Sequence, residues 1–215
     1  MGNLLKKELR LSLHPAAPVM VLCALLAIIP NYPYSVGQFY VGLGIFFICL
    51  QGRENHDISY TMLLPVAKRD VVTGRFAMAL TLELCHLVLL IPAVCLGAIL
   101  TPGGNLAGMD AGLSTFAVAF LQFALFNWVF FTAYYKNVEK VGVSFVKASI
   151  AQFILVAVEI VCTYAVPLVR DKLDCVGIQN PMEQGAFFLG SLAIYVLSTA
   201  LAYGKSVRLF EIQDV

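Results

Sequence analysis

A few titratable and polar side chains stand inside otherwise apolar stretches. Glu83 and His86 are three residues apart, which puts them on one face of any helix that carries them. Further along, Ser149, Gln152, Glu159 and Thr163 follow at spacings of 3, 7 and 4, a single helical stripe. A charged group near the centre of a bilayer costs at least about 2.5 kcal/mol on insertion scales, so each of these needs a reason. Two reasons fit the pattern. The stripe lines a path or a subunit interface, or it bonds helices to one another without touching cargo.

Catalytic constellations are hard to build from this chain. There is no GxSxG elbow and no HExxH pair. Glu54, His56 and Asp57 would make metal ligands together with Glu83 and His86, but they stand on a polar stretch where charge is simply solvated. The Gly204-Lys205-Ser206 triplet lacks the glycine a phosphate-binding loop needs five residues earlier, where Thr199 stands. No catalytic residue, metal or cofactor is therefore expected on the chain, and an intramembrane enzyme is an alternative without a motif. Six cysteines show no CxxC and no zinc spacing. Cys23, Cys49, Cys85, Cys95 and Cys162 lie in apolar runs and read as small buried hydrophobes. Cys175, in a polar loop, reads as a free thiol, with a bridge to a partner subunit as the alternative.

The elements that must position these residues follow from composition. Of 215 residues, 60% are hydrophobic and 13% charged, and the mean hydropathy is +0.85. An ordinary soluble domain carries about 25% charged residues. That balance excludes a disordered chain and a water-soluble globule. A net charge of +1 offers no field for nucleic acid. Six runs approach the roughly 20 residues a bilayer core requires: 16–29, 36–50, 76–100 (containing Pro92), 113–134, 141–166 and 185–203. The first run follows Lys6, Lys7 and Arg10, as in a secretory leader, but Pro30-Asn31-Tyr32-Pro33 is a poor cleavage region and five runs follow.

With six spans, twelve of the fourteen Lys and Arg residues fall on one side, and only Arg170 and Lys172 on the other. Both termini are then cytoplasmic. The expected fold class is an all-α integral membrane protein, one transmembrane domain over residues 1–215.

Two further pieces belong to the cytoplasmic side. Residues 3–14 read as an interfacial helix, with Leu5, Leu9 and Leu13 on one face. Residues 51–75 form the longest and most charged loop. Within it Pro65 opens a short helix that Gly74 can end.

The stretch LLPVAKRDVVTGRF resembles the coupling region of type-2 ATP-binding-cassette (ABC) exporter permeases. Leu64, Pro65, Val66, Ala67, Lys68, Arg69, Asp70, Val71, Val72 and Arg75 fill that pattern. The acidic cluster before it, the N-terminal helix and the six-span layout are also similar. The specific part of the likeness covers about 25 residues. The resemblance implies a half-transporter: two permease subunits, identical or not, around a path lined by the first, second and fifth spans. A separate cytoplasmic ATPase subunit, holding ATP and Mg, would dock on the coupling helix and drive export from a bacterial cytoplasmic membrane. Lys68, Arg69 and Asp70 would supply polar contacts to it, and Leu64, Pro65 and Val66 would seat the helix. The resemblance also implies short helices dipping into the outer leaflet within 167–184, and cargo that is a hydrophobic or amphipathic peptide, drug or lipid. The chain lacks the large extracellular domain of the bigger exporters. A channel, secondary carrier or immunity protein is the alternative.

Overall fold

A computed structural model describes residues 12–63 and 65–212; the interfacial helix expected over 3–14 lies almost wholly outside them. Among the described residues the chain is helical, with one isolated bridge between Gly112 and Gly177 in place of any strand. Helix α1 (Ala16–Val21) runs on as a 3-10 segment, Leu22–Ile28, and ends at extended Ile29, the conformation a following proline imposes. Then come α2 (Val36–Glu54), the short α3 (Asp57–Met62), α4 (Lys68–Leu100), α5 (Leu113–Tyr134) and α6 (Val141–Ala165). A π-helical turn, Val169–Leu173, precedes α7 (Pro181–Glu211), which has proline in its first turn.

Four of these helices, α4 to α7, are long and apolar enough to cross a membrane. The first two expected runs are not among the four. Ala16–Ile28 is short, and α2 ends in Gln51, Arg53 and Glu54. Around Pro65 the chain also departs from expectation. The short helix precedes the proline, Ala67 is extended, and Lys68 starts a helix of 33 residues with Gly74 buried inside it. The reason is phase. Val71, Val72, Arg75, Met78, Ala79 and Leu82 continue one buried stripe, so nothing stops the helix at Gly74.

Contacts fix the helix directions. Phe120 meets Phe188 and Tyr195, and Tyr135 meets Phe210, so α5 and α7 run parallel. Phe76 stacks on Phe131 and Lys68 reaches the Glu211 carbonyl, so α4 runs against both. Arg53 reaches the Glu139 carbonyl at the same end. Inside, aromatic rings repeat at helical spacing on α5: Phe126 stacks on Phe130 (4.9 Å) and Phe130 on Tyr134 (5.8 Å).

Burial runs opposite to a soluble protein. Gln122, Asn127, Gln152 and Gln184 are buried, while Leu189, Val196, Ile99 and Ile154 are exposed. The cysteines follow that inversion. Only Cys49 is buried, and Cys85 and Cys95 lie on the exposed face of α4, because an apolar run in such a bundle has an outer side as well as a core side.

Close approach decides one glycine. A Cβ on Gly97 would stand 2.5 Å from the Ala27 carbonyl oxygen, where α4 packs on the 3-10 segment. Gly142 on α6 meets nothing within 4 Å. In thermal unfolding of the detergent-solubilised protein, Gly97→Ala is expected to cost about 1–3 kcal/mol through overpacking. Gly142→Ala is expected to be neutral or slightly stabilising.

Candidate functional site

The segment between α2 and α4 is held by a half-buried ion pair. Arg75 Nη2 donates to Asp57 Oδ2 at 3.0 Å, with side-chain exposures of 3% and 21%. A Cβ on Gly52 would come within 3.2 Å of that guanidinium, so the glycine makes room for it. His56, in the left-handed region (φ 52°), turns the chain from α2 into α3. Asp57 and Arg75 are 18 residues apart in sequence, and α3 is thereby clasped to the second turn of α4. Its outer side presents Tyr60 (66% exposed) and Leu63 (82% exposed).

The expected contact residues are placed as follows. Pro65 and Ala67 are exposed, and Val66 packs against the core. Leu64 lies outside the described residues. Lys68 Nζ donates to the Glu211 carbonyl (3.3 Å), and Arg69 Nε to the Tyr203 hydroxyl (3.2 Å), which also pairs with Thr73 Oγ1 (2.9 Å). Asp70 is half-buried in the first turn of α4. Lys68 and Arg69 thus reach α7. Tyr60 and Leu63, which sequence reasoning did not single out, are the large exposed apolar side chains among the segment's described residues; their signal was the apolar run from Ile58 onward.

Within the bundle, Glu83 is fully buried. Its Oε2 accepts hydrogen bonds from the Tyr195 hydroxyl (2.6 Å) and from Asn127 Nδ2 (3.3 Å), which also lies 3.3 Å from Thr199 Oγ1. One carboxylate therefore joins α4, α5 and α7. His86, on the same face, takes a different direction. Its Nδ1 is 3.2 Å from the Val21 carbonyl, and its ring meets the Phe123 ring edge-on at 5.8 Å. A Cβ on Gly37 would sit 3.4 Å from the imidazole.

On α6, Gln152, Glu159 and Thr163 share the inward stripe with Ser144, Ala148 and Val156. Gln122 Nε2 donates to the Gln152 carbonyl (3.4 Å), and Thr163 Oγ1 to the Glu159 carbonyl (3.0 Å). Ser149 stands at the stripe's edge, its hydroxyl turned back to the Phe145 carbonyl (2.8 Å). Among the described residues no three His, Cys, Asp or Glu side chains gather as metal ligands.

The opposite end of the bundle is tied by polar loops. Asp174 Oδ1 accepts from the Asp110 backbone N–H (2.7 Å), Gly177 N–H donates to the Ala111 carbonyl (2.9 Å), and Asn105 Nδ2 donates to the Tyr32 carbonyl (2.9 Å). Gly104, at φ +87°, lets the chain close on Asp110, where a Cβ would lie 2.9 Å from Oδ1. Burial pushes the Asp174 carboxyl up to about 6; the Asp110 N–H opposes that shift and the Asp110 charge adds to it. Burial also raises the Cys175 thiol, whose sulfur lies 3.5 Å from Asn180 Nδ2.

A family model described as "ABC-2 family transporter protein" matches residues 3–211. The chain belongs to this family. No curated protein and no solved structure matches it. An ABC-2 chain is a multi-pass membrane permease component. Membership implies assembly with an ATPase and makes this chain a transmembrane subunit rather than the ATPase itself.

Two outcomes are expected of this ABC-2 chain. Glu83→Ala strands Asn127 and Tyr195 in an apolar layer and should cost about 2–4 kcal/mol in thermal unfolding. Glu83→Gln, which keeps an acceptor and the volume, should lose less than half of that. For Asp174 the folded value lies above the unfolded one. Its contribution is therefore complete below about pH 4 and is lost as pH rises through about 6. The thermal midpoint should fall over that window in the wild type, and Asp174→Asn should remove that part of the slope.

Proposed function

We propose that this chain is the membrane-spanning half of an ABC exporter. It moves a hydrophobic or amphipathic peptide, drug or lipid out of the cell, powered by a separate cytoplasmic ATPase. In this reading the bundle has six spans in a bacterial cytoplasmic membrane, with Ala16–Ile28 and α2 as the first two. Both termini face the cytoplasm, and the chain pairs with a second permease subunit, identical or not. The coupling element is the 51–75 segment, with α3 as the short helix that meets the ATPase.

One observation carries the assignment of α3. At the end of the bundle where Arg53, Lys68, Lys136, Lys140 and Arg208 collect, the segment offers two large apolar side chains, Tyr60 on α3 and Leu63 just after it, on a helix anchored by a half-buried ion pair. An anchored helix transmits force, where a loose loop would absorb it. ATP-driven closure of the partner would push α3, and through Asp57–Arg75 the push enters α4. Lys68 and Arg69 carry it to α7, Asp70 faces the partner beside them, and the bundle shifts between inward- and outward-facing populations. Glu83 and His86, which bond across helices, keep the helices in register while they move; the burial of these two and of Gln152, Glu159 and Thr163 within one chain's helices supports a packing role over contact with cargo.

Gentle purification from the native membrane should recover an ATPase in stoichiometric amount. Replacing Tyr60 and Leu63 together by Asp should cut that recovery at least about tenfold, the loss of two apolar anchors, with the thermal midpoint unchanged. An ATPase retained at the wild-type ratio would remove α3 from the interface.

A further inference from the structure

The outer face of the bundle carries an apolar furrow of about 410 Å³ along α5 and α7, bordered by Leu155 of α6. Leu121, Leu125 and Trp128 form one wall, and Ile194, Ser198 and Leu201 the other. The α7 wall continues one helical turn further to Lys205, which is exposed. Its ammonium stands 5.1 Å from the centroid of the Trp128 ring, over the end of the furrow. Among the described residues Lys205 forms no hydrogen bond or ion pair, so its three N–H donors are left for a ligand.

Depth matches a lipid. At 1.5 Å per residue α7 is about 46 Å long, more than the roughly 30 Å hydrocarbon core. Lys205, six residues from the helix end, lies about 9 Å inside it, at the level where a headgroup begins. A tryptophan at that level is an interfacial residue. An apolar furrow running into the membrane, closed at its aqueous end by an indole and an unpaired cation, has the two chemistries of an anionic phospholipid in their proper order.

We infer that this furrow seats an anionic phospholipid of the cytoplasmic leaflet, one acyl chain along α5 and α7 and the phosphate on Lys205. The inference rests on the proposed layout only in placing the end of α7 on the cytoplasmic side.

Trp128 is the only tryptophan in the chain, so its fluorescence reports this furrow alone. The full-length protein would be reconstituted in phosphatidylcholine vesicles with rising fractions of brominated phosphatidylglycerol or brominated phosphatidylcholine. Quenching should show a preference of about fivefold for the anionic lipid, the effect of one lysine near the surface, and the preference should shrink in high salt. Lys205→Gln, a surface change, should bring the two lipids to parity. Ser198→Phe, which fills the furrow, should weaken quenching by both. Equal quenching in the wild type, or a preference that survives Lys205→Gln, overturns the site. Protease cleavage of a C-terminal tag in intact cells would instead overturn the layout, and the cytoplasmic-leaflet assignment with it. Cleavage only in inverted vesicles keeps the layout, and the quenching alone then decides.

Discussion

Inside a layer without water, a polar side chain can be satisfied only by other protein groups, and that constraint orders this bundle. Glu83 illustrates it. The carboxylate collects Tyr195 from α7 and Asn127 from α5, and Asn127 in turn reaches Thr199. Three helices whose surfaces are otherwise interchangeable apolar faces thereby acquire one register. Apolar packing alone would not choose it, because lipid tails are as good a solvent for leucine as another helix is. The aromatic stack on α5 and the tight glycine contact at Ala27 then fill the space that this register leaves.

The same constraint explains the anchored segment between α2 and α4. Arg75 is a full turn inside the apolar stripe of α4, and Asp57 must come to it. Drawing Asp57 in pulls α3 against the bundle, where Ile58 and Thr61 are buried, and Tyr60, about 200° round the helix from Ile58, stays outside. The ion pair thus fixes where the short helix lies, and the burial of Ile58 and Thr61 fixes which of its sides is free.

Much of the helical layout was legible in the sequence, because long apolar runs admit few alternatives. The bounds of α5 and the inward stripe of α6 follow from length and spacing. What was not legible depended on partners distant in sequence. Nothing local shows that Lys68 and Arg69 turn to α7, or that Gly74 lies within a helix and does not end one. Glu83 and His86 share a face, as their spacing requires, yet one reaches α5 and α7 and the other the carbonyl of Val21. Spacing gives a direction around a helix and not the identity of what stands there. Ser149 shows the limit from the other side. It is in phase with Gln152 within helical tolerance, but a hydroxyl satisfied by its own helix needs no inward position.

The parallel course of α5 and α7 has an electrostatic consequence. Both helices end at the same side, so two macrodipoles bring their partial negative charges together rather than cancelling them. Side by side, such an alignment is repulsive. The basic residues found there answer it: Lys136 follows the end of α5, and Lys205 and Arg208 occupy the last turns of α7. Helices α4 and α6 begin at that side and add their positive N-terminal ends there. The cluster of positive side chains at this end is thus the counter-charge that lets two like-directed helices lie in contact.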